Sequence, residues 1–416
     1  MSLLERVKEL YQRNLKMGIS SDGTEFTYIC PDIKRYPHQW LWDSCFHIIV
    51  TSQFDVSLAK KELESMLKFL QPNGFLPHMF YHTKPFSILD WLIKRYYKSK
   101  EISSITQAPF LAHAIDAIYK ATDDKENLQE VIPKISAFFD WYYTERLLSK
   151  EIPLLFIIHS WESGTDNCPK YDKALGISGK RFFALRVFRN LFKQLKVLKK
   201  ADWDIEAIKK RDYFVFCDLL TNCTYIEGAE ILSQLFKELG NEEQSQKYIE
   251  RAKTISQALI KYCWNENESF FFDVYSKNAT QVDVKTITGL FPLIISDLPK
   301  HIEKALMEKY LTNEKEFWTD YPIPIVAISE ESFSPTSIAL LWRGPPWINM
   351  NWFLIRALKK KGYQDLCNQL SLKTIELVEK EGFREYYNPF TGEGMGAKNF
   401  GWSALVLDIQ NNYLKK

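Results

Sequence analysis

Four short stretches of this 416-residue chain set carboxylates among tryptophan, glycine, proline and amide residues. Residues 36–47 place Trp40 and Trp42 two apart and follow them at once with Asp43. Residues 159–172 crowd Glu162, Asp166 and Asp172 around Gly164 and Pro169. Residues 342–352 begin and end on tryptophan, with Trp347, Asn349 and Asn351 between. Residues 383–396 set Glu385 before Tyr386 and Tyr387 and run into a glycine-rich tail. Burial and mutual repulsion both raise the proton affinity of carboxyls crowded in this way. A carboxylic acid still protonated near neutral pH can serve as a general acid. Two carboxylates from different loops of an aromatic-lined pit are the minimal machinery for glycoside hydrolysis. One protonates the departing oxygen, and the other attacks the sugar or activates a water. Trp and Tyr planes beside carboxylates and amides also suit a sugar ring, which has flat C–H faces edged with hydroxyls.

Plainer explanations account for part of this pattern. Asp43 or Ser44 could cap a helix, but a cap does not need two tryptophans before it. His38 and His47 read as core or capping histidines. His159, Glu162 and Asp166 match no standard zinc or calcium spacing, so neither a metal nor a cofactor is expected. The tail glycines follow no strand and position 399 is Asn, so the dinucleotide fingerprint fails. There is no GxSxG elbow, HExxH helix or phosphate-binding P-loop.

The elements that must hold these stretches are mostly helices. Helical periodicity runs through residues 2–17, 56–70, 107–121, 126–147, 179–199, 225–239, 242–264, 299–310, 348–361, 362–381 and 402–414. Strand signals are confined to 154–158 and 270–274. Roughly a dozen helices predict an all-α chain. No sequence period supports a solenoid, which leaves a closed toroid of helical hairpins whose end loops converge on a central pit. No linker divides the chain, so residues 1–416 are expected to form one catalytic domain. Residues 73–106, with Pro77 and Pro85, are expected to form a lid inserted over one face.

Composition excludes several classes of partner. Net charge is +2, from 54 basic and 52 acidic residues. A nucleic-acid binder needs clustered positive charge, and the lysine-rich runs at 193–200 and 359–361 read as solvated helix faces. No apolar stretch reaches the ~18 residues a membrane span needs, and residues 1–16 lack the apolar segment of a signal peptide. The seven scattered cysteines contain no CxxC pair. That is the pattern of a reduced, cytoplasmic protein. A homo-oligomer is compatible with the sequence. Aromatic content is 15%, with 12 Trp and 21 Tyr. Six of those tryptophans lie in the four stretches and a seventh, Trp402, follows just after the last, which favours a carbohydrate ligand over simple core packing.

The four stretches resemble the motifs of glycoside hydrolase family 63, and more distantly those of the family 37 trehalases. Residues 39–44 match a QWxWDS segment, residues 159–172 an HxWESGxDNSPxWD segment, residues 342–352 a WRGPxWxxxNW segment and residues 383–396 an FxEYYDPxTGxGxG segment. Residues 77–79 and 105–112 match a fifth, split motif. The likeness covers nearly the whole chain and is nearest to compact bacterial and archaeal members, including mannosylglycerate and glucosylglycerate hydrolases. It implies an (α/α)6 barrel, the six-hairpin glycosidase toroid, and an inverting exo-acting α-glycosidase. The family's general acid falls on Asp166 and its general base on Glu385. Its sugar-pocket positions fall on Tyr36, Trp40, Trp42, Asp43, Gln107, Trp161, Trp342 and Trp347. Cys168, Tyr171 and Asn388 depart from the usual Ser, Trp and Asp. The arginine that holds glycerate falls on Arg186 or Arg211, and its glutamine partner on Asn399 or Phe400. The expected substrate is a small α-glucoside or α-mannoside, glucosyl- and mannosylglycerate among them. A sugar epimerase working through histidines on the same toroid is one alternative. A non-catalytic carbohydrate-binding protein is another.

Overall fold

A computed structural model describes residues 1–20, 23–82, 88–99, 102–178, 183–337 and 341–414. Its helices are α1 (Leu3–Asn14), α2 (Leu41–Thr51), α3 (Val56–Leu67), α4 (Ile88–Lys94), α5 (Leu111–Thr122), α6 (Lys125–Glu145), α7 (Phe183–Lys200), α8 (Ile205–Arg211), α9 (Leu219–Glu238), α10 (Glu242–Tyr262), α11 (Lys300–Ala305), α12 (Ile348–Lys361), α13 (Gln364–Glu381) and α14 (Leu405–Asn412). A 3-10 segment, Ile287–Ile294, and a π-helical turn, Leu306–Leu311, complete the set.

Six of these elements close a ring. α2 packs on α5, α5 on α9, α9 on Ile287–Ile294, that segment on α12, α12 on α14, and α14 again on α2. Each has a partner outside the ring: α3, α6, α10, the α11 region, α13 and α1. The chain therefore folds as an (α/α)6 barrel.

Burial explains which helices lie where. Every residue of α2 is buried, as expected of a helix enclosed on all sides. α10 buries Ser245, Tyr248, Ala252, Ile255, Ala258 and Leu259, a single stripe at three- and four-residue spacing. Local chemistry fixes the starts of the outer helices. Ser2 and Glu5 form a capping box on α1, while Asp55, Asp124 and Asn241 cap α3, α6 and α10.

Most helical expectations match elements, with differences at the edges. Residues 15–17 turn into a strand, Leu15–Ile19, which pairs with Glu25–Ile29. The 179–199 expectation begins outside the described residues. α4 and α8 were not anticipated, nor was the Ile287–Ile294 segment, and α2 starts before Asp43 and Ser44, with Trp40 rather than either of them at its N-cap. The strand expected at 154–158 forms only isolated bridges, Leu155 to Leu147 and Ile157 to Phe216. The one expected at 270–274 splits into two short strands, Phe270–Phe271 and Val274–Tyr275.

Within residues 73–106, Met79–Phe80 pairs with Gln39–Trp40. Ile93 of α4 joins a small apolar cluster with Met79, Tyr81, Tyr97 and Leu195, against which Trp40, Trp161 and Trp203 pack.

Candidate active site

The four motif segments meet at the end of the barrel where inner helices begin. Trp40 precedes α2, Gln107 lies just before α5, Trp347 precedes α12, and Phe400 precedes the 3-10 turn Gly401–Ala404 that leads into α14. Their side chains touch. Trp42 lies edge-on to Trp402, with ring centroids 5.4 Å apart. Trp342 stacks flat on Trp347 at 3.7 Å, and Trp347 reaches both Trp402 and Tyr386. The arc continues from Phe400 to Tyr36, Trp40, His78 and Trp161. The expected tryptophans therefore form one continuous aromatic wall.

Polar atoms without a protein partner punctuate this wall. Among the described residues they include Asp43 Oδ1, Trp40 Nε1, Trp347 Nε1, Trp402 Nε1 and Asn349 Nδ2, all buried. Buried polar groups are normally paired, so such a cluster is what a ring of sugar hydroxyls would satisfy. Gln107 turns its Oε1 to the Trp42 amide at 3.2 Å, which fixes the amide group toward the same wall. Burial pushes the Asp43 carboxyl well above the usual carboxylate range.

The three carboxylates of the second motif have separate fates. Glu162 is fully buried and takes a two-pronged bond from Arg146, at 2.7 and 2.9 Å, plus the amides of Thr106 and Ile158. Asp172 takes a second such bond from Arg343, at 2.6 and 2.9 Å. Among the described residues, Asp166 has neither an arginine nor a side-chain donor. It is partly open to solvent. Even so, loss of surrounding water pushes its pKa up to about 7, and the nearby Glu385 charge adds to the rise. Gly164, at φ +75°, makes room here: a Cβ would lie 2.3 Å from the Trp42 ring.

Glu385 has the opposite surroundings. It sits on the strand Arg384–Tyr387, which pairs with Gly394–Lys398, and is 2% exposed. Tyr36 donates to its Oε1 at 3.0 Å, and the Ala397 amide donates to Oε2 at 2.7 Å. Arg35 lies 3.5 Å from Oε2. Burial raises its pKa, and these three donors pull against that rise. Gly396, at φ +68°, is required by the same hairpin, since a Cβ would stand 2.5 Å from Glu385 Oε2. The Tyr36 hydroxyl feels the charge of both Glu385 and Asp166.

The comparisons identify what this architecture belongs to. Residues 36–403 match the mannosylglycerate hydrolase MGH1-like glycoside hydrolase domain. The chain belongs to this family. It is a glycoside hydrolase, similar to a mannosylglycerate hydrolase from Thermus thermophilus at 28% identity over 89% of this chain and 93% of that one. A glucosylglycerate hydrolase from Mycolicibacterium hassiacum is 23% identical over 90% and 92%. The crystal structure of a GH63 mannosylglycerate hydrolase from Thermus thermophilus, in complex with Tris and D-glycerate, matches with TM-score 0.83 and 28% identity. That match covers 98% of this chain and 99% of the other. A neutral trehalase from Saccharomyces cerevisiae, 16% identical with TM-score 0.61 over 98% of this chain and 80% of that one, shares the fold.

The departures from the family pattern leave the pair untouched. Asn388 Oδ1 accepts from the Phe390 and Thr391 amides, as an aspartate would. Cys168 is buried, with a thiol pushed up to about 12. Tyr171 places its hydroxyl on Ser163 Oγ and Thr165 Oγ1. Arg186 lies on α7, and Arg211 is exposed at the end of α8. Sequence reasoning gave no role to Arg35, none of their own to His78 and Gly396 inside the matched motifs, and considered Phe400 only for glycerate rather than as part of the aromatic wall. Arg35 adjoins the first motif and Gly396 ends the fourth, so extending the motifs by one residue each way would have found the first. No helix among the described residues is long and apolar enough to cross a membrane.

Proposed function

We propose that the enzyme cleaves a small α-glycoside from its non-reducing end, with inversion at the anomeric carbon. Asp166 gives its proton to the glycosidic oxygen as the bond from that oxygen to C1 breaks. Glu385 takes a proton from a water whose oxygen bonds to C1 on the opposite face. The aglycone departs as a neutral alcohol, and solvent returns the proton from Glu385 to Asp166. One observation carries this reading. Asp166 is partly open to solvent, has no ion pair among the described residues and has a pKa pushed up to about 7, while Asp43 is shut away from solvent and Glu385 is held by three donors. Repulsion between them opposes a second charge, and the donors around Glu385 favour the shared proton on Asp166. A water between the two carboxyls needs a separation of about 6.5–9.5 Å.

The relatives extend the reading to substrate. The aglycone is a small acid such as glycerate, and the sugar is mannose or glucose, with the described part of residues 73–106 forming a lid over the wall and residues 83–87 and 100–101 outside it. An epimerase reading finds no support in the histidines near the wall. Burial holds His78 and His159 down at about 3, and both ring nitrogens of His159 are engaged. The test is the product anomer, followed by NMR before mutarotation. The expected first product from an α-linked substrate is the β sugar, and an α product would overturn the inverting mechanism.

A further inference from the structure

Among the described residues no side chain hydrogen-bonds the carboxyl of Asp166, so its position depends on its loop. That loop carries an unusual anchor. Four residues on, fully buried Lys170 meets two buried aspartates, Asp218 and Asp273, the latter at 3.2 Å. Its Nζ also reaches Thr288 Oγ1 at 3.4 Å. Asp218 caps α9 through the Thr221 amide, Asp273 accepts from the Leu219 amide, and Thr288 belongs to the Ile287–Ile294 segment of the inner ring. One lysine thus ties the loop to two neighbouring staves of the barrel.

The tie reaches Asp166 from both sides. Tyr171, next to Lys170, lies 3.4 Å from Asp218 and binds Ser163 and Thr165. Thr165 precedes Asp166 in the chain. On the other side, Asn167 accepts from the Trp342 amide at 2.9 Å. A buried cluster of one lysine and two aspartates is a poor source of stability, because desolvation offsets the attraction. Apolar residues of similar volume would pack as well. What the ions supply instead is one fixed position.

We infer that Lys170, through Asp218 and Asp273, is a positioning residue that holds the Asp166 loop where its carboxyl can reach the departing oxygen. The inference rests on Asp166 being the acid. Lys170 does not act as a charge on Asp166, whose proton affinity follows from burial and from Glu385.

Leaving-group chemistry separates this role from a merely structural one. In a glycosyl fluoride the C–F bond breaks and fluoride leaves without a proton, while the water still surrenders its proton to Glu385. The experiment compares kcat on an alkyl α-glycoside and on the matched α-glycosyl fluoride. The variants are Lys170→Met, Asp273→Asn and Asp166→Asn, with folding checked by circular dichroism. Asp273→Asn keeps a one-to-one pair between Lys170 and Asp218, and serves if Lys170→Met does not fold. The expected result is a loss of at least about tenfold on the glycoside and under about threefold on the fluoride, for Lys170→Met, and the same direction, smaller, for Asp273→Asn. Equal losses on both substrates, or none, would overturn the inference. If Asp166→Asn shows the split and the other variants do not, the anchor alone is wrong. If Asp166→Asn also lacks it, the acid assignment fails and takes the anchor with it.

Discussion

The loop that carries Asp166 and the hairpin that carries Glu385 hold their carboxyls by opposite means. The carboxylate on the hairpin is surrounded by donors: Tyr36 and Arg35 from the first motif and its edge, and the hairpin's own Ala397 amide. The loop withholds them. Arg146, at the end of α6, and Arg343, in the third motif, pair with its neighbours Glu162 and Asp172, and among the described residues no arginine pairs with Asp166. A base has to be ionised and aimed, which hydrogen bonds achieve. An acid has to keep a proton until the sugar arrives, which the absence of donors achieves. Division of labour between two chemically similar groups therefore follows from what surrounds each one.

The largest expected effect falls on the hairpin side. Glu385→Gln removes the group that, in the proposed mechanism, accepts the proton of water. It should lower kcat by ~10²–10⁴-fold on an alkyl glycoside and on a glycosyl fluoride alike. Retention of fluoride hydrolysis, measured by fluoride release, would dissolve the contrast between the two regions.

Gly396→Ala tests whether the hairpin aims its carboxylate. The added methyl would stand 2.5 Å from both Glu385 Oε2 and a Tyr386 ring carbon, at a backbone φ of +68°. A displacement near 1 Å at a reacting group costs up to ~10²-fold. We expect kcat to fall about ten- to a hundredfold on both substrates, with KM little changed. Wild-type rates would show that the close fit has no catalytic purpose.

The smallest effect is on stability, and it belongs to the loop. Asp166 has a folded pKa of about 7 against 3.8 in its ordinary state. The folded protein thus holds a proton that the unfolded chain has already released between those values. The sign is a cost: stability contributed by this carboxyl falls as pH rises from about 4 to about 7, and stays lower above. The cost is on the order of a few kcal/mol. Asp166→Asn should raise the melting temperature at pH 8, with the gain vanishing toward pH 4. A gain that is the same at both pH values would mean that ionisation of Asp166 is not the source.

Part of this contrast is visible in the sequence, and part is not. Motif residues and their resemblance to a family supply Asp166, Glu385 and the tryptophan wall, because these need particular side chains at particular spacings. Outer helices such as α10 show their stripe plainly. α2 does not, since all its residues are buried and no polar face marks its period. The segment Ile287–Ile294 contains Gly289 and Pro292, which mask a helical turn held by packing on α9 and α12. The sorting of Glu162, Asp166 and Asp172 was also hidden. Their partners, Arg146 and Arg343, lie up to 171 residues away in the chain, and only the fold brings them together. The strand under Glu385 escaped for another reason. Its polar and aromatic residues are buried without alternation, Glu385, Tyr386 and Tyr387 in succession.

The most direct test of the central claim is the pH dependence of kcat/KM for Asp166→Asn on an α-glycosyl fluoride, set beside the wild-type profile on an alkyl glycoside. The wild-type profile should be a bell whose alkaline limb, near pH 7, is the loss of the Asp166 proton. In the variant that limb should disappear, while the acidic limb, where Glu385 gains a proton, remains. An alkaline limb near pH 7 that survives in Asp166→Asn, with the acidic limb gone, would contradict the assignment and exchange the roles of the two carboxyls.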